Sequence, residues 1–345
     1  MSVVGVALRV AIVGCGLIGA KRAAALAPDD ALIACHDVSA EATTRLAERY
    51  GATACASVDE LLALGPNVVV VSTVHDQLAE LAKRALLAGA HVLVEKPAGV
   101  STAEIDHLIE CQRASGRLVK VGFNHRFHPG IARAAEELRH GRHGKLMHLR
   151  ARYGHGGRLG YDREWRAEPA RSGGGELVDQ GTHLLDLSHW LAGPLPLHSA
   201  LLRTHFWDTP VEDSAALLLG DASSRVAPWA MLHVSWTEWK NLFSLEIYCH
   251  NAKLEVSGLV RSYGSQRLRI YRMGPQLGPP DVKELAYPDE DDSWAREWTS
   301  FADAIAAGDA RLLSGDLHDA RYVWEQIEAA YAASPYADMR QAVVV

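Results

Sequence analysis

Cysteine is scarce in this chain of 345 residues: Cys15, Cys35, Cys55, Cys111 and Cys249, with no C-x-x-C pair among them. An odd, scattered set excludes a disulfide framework and points to free thiols in a reducing compartment. Long apolar runs are missing too; none approaches the roughly 18 residues that a membrane-spanning helix requires. The apolar N-terminal stretch from Val3 to Ala27 starts without Lys or Arg, is interrupted by Arg9 and closes on Lys21 and Arg22, so it does not read as an export signal. Basic residues number 35 against 42 acidic ones, a net charge of −7. That balance excludes a general affinity for polyphosphate, so no nucleic-acid partner is expected. With 48% hydrophobic and 22% charged residues, disorder and low complexity are excluded as well. A cytoplasmic globular protein with no membrane partner is predicted, and its length suits two domains of about 100–200 residues.

Up to residue 124 the sequence alternates strand and helix. Leu8–Val13, Ala31–Cys35, Val68–Val71, His91–Val94 and Leu118–Gly122 read as strands. Helices follow, with Ser39 as a cap and with Ser57/Glu60 and Ser101/Glu104 as capping boxes. The run Val68–Val71 is apolar without alternation, as a sheet buried on both faces demands. This order predicts a parallel, doubly wound sheet. After Asn124 the pattern changes. A helix over about Pro129–Arg139 leads into a strand over Lys145–Tyr153, then a Gly- and Arg-rich loop, then a helix from about Glu176 to Leu191. Strands are predicted at Ala215–Leu219, Ala230–Trp236, Phe243–Tyr248, Lys253–Val256 and Leu268–Tyr271. With no helices between them, they predict a mostly antiparallel sheet. Helices near Trp294–Ala306 and Asp316–Ala332 close the chain. The predicted fold class is α/β: a doubly wound N-terminal domain over 1–124, then an α+β domain with an open sheet over 125–345. The terminal helices are free to pack back on the first domain.

Three motifs carry chemistry. Gly14-Cys15-Gly16-Leu17-Ile18-Gly19 follows a strand and opens a helix, which is the context a dinucleotide pyrophosphate needs. Asp37 lies 18 residues past Gly19, at the end of the second strand, where a carboxylate meets the adenosine ribose hydroxyls. No Arg or Lys occurs in the seven residues after it, so NAD is expected over NADP. Glu95-Lys96-Pro97 follows the strand His91–Val94, and strand ends of such sheets face the ligand crevice. Gly173-Gly174-Gly175 precedes a helix on which Asp179, His183 and Asp186 fall on one face, and the glycines allow its first turn a close approach to another surface.

These motifs, with Gly122-Phe123-Asn124-His125-Arg126-Phe127, resemble the Gfo/Idh/MocA family of sugar and cyclitol dehydrogenases over nearly the whole chain. The resemblance implies a Rossmann domain followed by an open sheet that carries substrate and often the oligomer interface. It implies that Lys96, Asp179 and His183 are catalytic, and that Lys96-Pro97 is a cis bond. Cofactor contacts are implied for Gly14, Gly16, Leu17, Ile18, Gly19, Asp37, Ser72, Thr73, His75, Glu95, Lys96 and Asn124. Where members often carry Pro-Asn, this chain has Val74-His75.

The implied chemistry is oxidation of a secondary ring hydroxyl of a pyranoside, aminosugar or cyclitol. His183 would take the proton, Lys96 would stabilise the alkoxide, and Asp179 would orient the imidazole and hold a hydroxyl. Arg126, Tyr161, Trp165 and Arg166 join Asp179 and His183 as expected substrate contacts. The loop from Tyr153 to Arg166 reads as a substrate lid, because aromatic faces stack on sugars and arginine binds anions. Asp208, Glu212 and Asp213 would suit a cationic aminosugar. No H-E-x-x-H and no Cys/His cluster occurs, so no metal is expected. A ketosugar reductase, a glycosidase working through transient oxidation and a non-catalytic NAD sensor are the alternatives. A homodimer or homotetramer built on the second sheet is expected, since one sheet face would otherwise stand exposed.

Overall fold

A computed structural model describes residues 7–339. The start of the apolar N-terminal stretch, Val3 to Val6, lies outside the described residues. Among these residues no helix is long and apolar enough to cross a membrane. The chain divides into two compact units, one of residues 1–124 and 294–321, the other of residues 125–293 and 322–345.

The first unit is built on six strands: β1 (Arg9–Val13), β2 (Ala31–His36), β3 (Thr53–Ala54), β4 (Val68–Val71), β5 (His91–Val94) and β6 (Val119–Val121). They lie in the order β3-β2-β1-β4-β5-β6, and every pairing is parallel. The order reverses between β1 and β4, the place where open α/β sheets bind ligands. All four valines of β4 are fully buried, which explains the unbroken apolar run. Helices α1 (Leu17–Ala24), α2 (Ala40–Tyr50), α3 (Val58–Ala63), α4 (His75–Leu87) and α5 (Thr102–Ser115) cover the faces. Ser39, Ser57 and Ser101 each accept a backbone N–H bond at a helix start. Glu60 and Glu104 return the bond one residue earlier than in a strict capping box, to the amides of Ala56 and Val100.

A late helix, Ser293–Ala307, belongs to this unit. Its Trp298, Phe301 and Ala304 join the core formed by β1, β2 and β4, and Trp298 Nε1 donates to Asp30 at 2.7 Å. It also brings Glu297 into the interior. There Glu297 meets Arg22 at 2.6 Å and Lys120 at 2.9 Å, and Arg22 meets Glu95 as well. Two carboxylates and two cations are thus buried as a neutral quartet. Burial pushes the Glu297 carboxyl up, but Lys120 and Arg22 outweigh it and hold the group below its usual range.

The second unit begins with α6 (Pro129–Arg139) and holds an eight-stranded sheet. Its strands are β7 (Leu146–Gly154), β8 (Leu197–Arg203), β9 (Ser214–Gly220), β10 (Trp229–Ser235), β11 (Leu242–Cys249), β12 (Ala252–Ser257), β13 (Arg267–Arg272) and β14 (Asp281–Ala286). The order is β14-β13-β12-β11-β7-β10-β9-β8. The sheet is mixed: β7 and β10 pair in parallel, and the other neighbours are antiparallel. Burial alternates along β9, β11 and β12, so one face carries Leu217, Leu219, Leu245, Ile247, Leu254 and Val256 into the core. The opposite face keeps Trp229 and Met231 exposed, and His148 is stacked between Trp229 and Tyr248.

Candidate functional site

In the first unit, β1 ends in a turn that only glycine fits. Gly14 has φ +96°, and a Cβ there would overlap the Ser72 carbonyl. Gly19 leaves no room for a Cβ against the Gly14 carbonyl, whereas Gly16 faces open space. The first turn of α1 has neither a capping side chain nor an acidic residue. Open space over Gly16 and uncapped N–H groups fit a pyrophosphate. Leu17 is exposed and Ile18 half-buried beside it. Asp37 follows β2 directly. It accepts from the Cys15 N–H at 2.7 Å and the Ser39 N–H at 2.9 Å, which fixes its carboxylate beside the glycine turn. Ser72 Oγ donates to the Gly14 carbonyl at 2.9 Å, so it braces the turn. Thr73 is half-buried, while His75, at the start of α4, and Asn124 are buried.

Glu95 differs from its expected role as a cofactor contact. It is 8% exposed and bound to Arg22, within the quartet. Its neighbour Lys96 is half-buried at the carboxyl end of β5, and the Lys96-Pro97 bond is cis.

In the second unit, the glycine turn opens into a π-helical turn over Leu177–Gly181. The short α7 (Pro169–Ser172) precedes the glycines, and α8 (Thr182–Ala192) follows the π turn. Asp179 sits in the π turn and His183 in the first turn of α8. Wide turns of this kind concentrate at functional sites. Asp186 does not share their environment as the helical spacing predicted. It is fully buried and grips Arg126 through two bonds, of 2.9 and 2.5 Å. Arg126, expected to touch substrate, is 4% exposed and ties its own turn to α8 instead.

His125 stacks on His183 with ring centroids 3.7 Å apart. Tyr153 packs edgewise nearby, and Phe243 and Tyr263 extend the same wall. Burial pushes the Tyr153 phenol well above its usual value, and it pushes Tyr263 up to about 12, so both are O–H groups near neutrality. Gln180 Nε2 donates to the Tyr263 hydroxyl at 3.2 Å.

The loop after β7 packs rather than hangs free. Tyr161 is 3% exposed and meets Trp236 edge-on. Its ring face is therefore not open for stacking on a sugar, and its hydroxyl lies 3.5 Å from Asp179. Burial, then the Asp179 charge, push the Tyr161 phenol far up, so it serves as a donor and not as a base. Arg166 Nε donates to Asp179 at 3.2 Å and its guanidinium lies over Trp165. Asp208 is exposed, but Glu212 and Asp213, the other two carboxylates expected near an aminosugar, are fully buried. Asp213 accepts three backbone N–H bonds from His205, Phe206 and Trp207, so it holds its own loop.

His155, Glu176 and Asp179 bring possible ligand atoms within 4.8 Å of one another. The chemistry of this donor set opposes a cation. The Gly157 N–H donates to His155 Nδ1 at 2.9 Å, which assigns the proton of the neutral ring to Nε2, the nitrogen near Tyr161. Arg166 already pairs with Asp179.

Residues 8–123 match the model of the oxidoreductase family with an NAD-binding Rossmann fold, and residues 131–255 match the GFO/IDH/MocA C-terminal domain. The chain belongs to the Gfo/Idh/MocA oxidoreductase family. An uncharacterised oxidoreductase of Synechocystis is 29% identical over 255 residues, which cover 67% of this chain and 65% of that protein. The D-glucoside 3-dehydrogenase of Escherichia coli is 31% identical over 193 residues, 54% of each chain. The chain thus spans about half to two thirds of the length of these curated relatives. The crystal structure of GenD2 from gentamicin A biosynthesis, in complex with NAD, superposes with a TM-score of 0.80 at 26% identity, covering 96% of this chain and 95% of that one.

As a family member the chain binds NAD in its first unit, and the glycine turn and Asp37 fit that cofactor. Sequence reasoning gave no role to His125, whose signal lay in the Asn124-His125-Arg126 motif, and took His155 only as part of the loop from Tyr153 to Arg166.

Proposed function

We propose that the protein is an NAD-dependent dehydrogenase that oxidises a secondary ring hydroxyl of a pyranoside, aminosugar or cyclitol. The observation that carries this reading is the turn holding Asp179 and His183, a half-buried carboxylate and a buried imidazole on one π-widened helix start, backed by Arg166 and His125. The glycine turn and Asp37 would hold NAD, whose nicotinamide would supply the acceptor for the carbinol hydride. The chain's own groups do the rest. His183 takes the hydroxyl proton onto its imidazole. Lys96 donates a hydrogen bond to the same oxygen and stabilises the alkoxide charge as the C–H bond breaks. Asp179, oriented by Arg166, accepts from a neighbouring ring hydroxyl.

The exposed Trp229 and Met231 support a homodimer or homotetramer through the outer sheet face, and five free cysteines support a cytoplasmic setting. The deciding experiment follows NADH formation with methyl glucosides, inositols, nucleotide sugars and aminoglycosides. The glucoside and gentamicin relatives set the first substrates to try. NADH equal to ketosugar formed supports a dehydrogenase. Aglycone release without net NADH indicates a glycosidase, and consumption of NADH by ketosugars alone indicates a reductase. No turnover and no sugar binding by the NAD-loaded protein would overturn the reading.

A further inference from the structure

The three-glycine turn has a cause outside itself. A Cβ on Gly174 would overlap the Tyr331 hydroxyl, and a Cβ on Gly175 would overlap the Glu212 backbone oxygen and carboxyl carbon. Glycine is required because two buried side chains sit hard against the turn. Glu212 and Tyr331 are both wholly buried. Glu212 Oε1 accepts from the Leu177 N–H at 2.9 Å, and Oε2 accepts from the Gly175 N–H at 3.2 Å and the Tyr331 hydroxyl at 2.7 Å. The Gly175 N–H is shared with the Tyr331 oxygen at 2.9 Å, and the Glu212 carbonyl accepts from the Glu176 N–H at 3.0 Å. Three successive amides at the start of the helical segment are satisfied by one residue. A carboxylate there is also favoured by the helix dipole.

The geometry points to Glu212 as a positioning residue that, backed by Tyr331, fixes the turn from which Asp179 and His183 project. This rests on the reading that those two residues carry the reaction. Only the ionised carboxylate offers both oxygens to all three donors. Protonated, one oxygen becomes a donor that faces donors, and at least one bond is given up. Burial pushes this carboxyl up to about 7 against the pull of Tyr331 and the backbone amides, so the turn's anchor changes charge near neutrality. The titratable groups around it are few. Tyr331 faces it from the terminal helix, Glu176 on the turn groups with His155 and Asp179, and Asp213 on its own segment is turned to the amides of residues 205–207.

The test compares Glu212→Ala, Glu212→Gln and Tyr331→Phe in the NAD-loaded protein. Glu212→Ala should lower kcat by about tenfold to a hundredfold, the scale of a catalytic group displaced by an ångström, with NAD affinity unchanged. Glu212→Gln, which keeps one acceptor, should recover part of that loss. The acid limb of its pH profile should become shallower by one proton, while Tyr331→Phe keeps the limb and loses less activity. A readout free of turnover is the imidazole resonance of His183, assigned with His183→Gln in protein labelled at histidine. In wild type it should follow a second titration step near pH 7, and that step should vanish in Glu212→Gln. Wild-type kcat in folded Glu212→Ala, or an unchanged His183 titration in Glu212→Gln, would overturn the assignment. If the wild type oxidises no sugar or cyclitol while the resonance behaves as stated, the functional reading fails and the anchoring role stands.

Discussion

The imidazole of His125 lies on that of His183, with centroids 3.7 Å apart and planes 23° from parallel. The stack therefore holds the His183 ring in place. His125→Phe keeps a flat partner and should retain most of kcat. His125→Ala leaves a void beside the ring and should lower kcat about tenfold. Steady-state kinetics of the two variants decide this, and equal losses would mean that the stack has no positional role.

Asp37 should select NAD. Its carboxylate is already bound to the Cys15 and Ser39 amides, so Asp37→Ala removes a ribose contact and a brace of the glycine turn together. Charged hydrogen bonds contribute about 1.5–3 kcal/mol, so the Kd for NAD should rise by about tenfold or more, and that for NADP much less. Fluorescence titration of both cofactors measures the difference. A wild type that prefers NADP would refute the assignment.

Lys96→Ala and His183→Ala should each lower kcat by roughly two orders of magnitude, the usual effect of a general base or an alkoxide donor. NAD affinity should hold in His183→Ala, because that residue belongs to the substrate side. The pH profile of wild-type kcat/KM should rise through pH 6 to 8 in the oxidation direction, as a neutral imidazole base requires. Near-normal kcat in His183→Ala would remove it from the mechanism. Tyr161 is a poor substitute, since burial and Asp179 hold its phenol protonated.

Stability offers a separate check on Glu212. Its carboxyl is raised in the folded protein to about 7 from an ordinary value near 4.5. A raised carboxyl favours the folded state most when protonated. Its contribution is complete below pH 4.5 and is lost as pH climbs through 7, up to about 3 kcal/mol. Between pH 5 and 8 the wild type should therefore lose stability relative to Glu212→Gln, measured by urea melts at each pH. A constant gap between the two would contradict a buried, titrating Glu212.

The parallel sheet was legible because every signal in it is local: an unbroken apolar run at β4, serine caps, and glycines at the turn after β1. In the second unit, β8 and β14 escaped. Both are edge strands, exposed along most of their length, so neither shows the alternation that marks a half-buried strand. The parallel pairing of β7 with β10 was hidden for another reason, since pairing partners 81 residues apart leave no local trace. Of the site, Asp179 and His183 were readable from their spacing after the glycines, but the π turn was not. Arg126 and Glu95 misled because an arginine or a glutamate reads the same whether it meets a ligand or a buried counter-charge. Lys120 was the overlooked warning, a cation inside a strand otherwise made of valine.

The quartet of Arg22, Lys120, Glu95 and Glu297 ties the first unit to the order of synthesis. Three of its members leave the ribosome within the first 120 residues, but Glu297 arrives more than 170 residues later. Until then Arg22 and Lys120 share one carboxylate, and two cations with one counter-charge cannot be sealed from water without a cost of several kcal/mol. A nascent nucleotide-binding sheet must therefore stay open on that side while residues 125–293 of the second unit are made. Fragments ending before Trp294 should accordingly be loose and prone to proteolysis, which makes this domain, first in sequence, among the last to close.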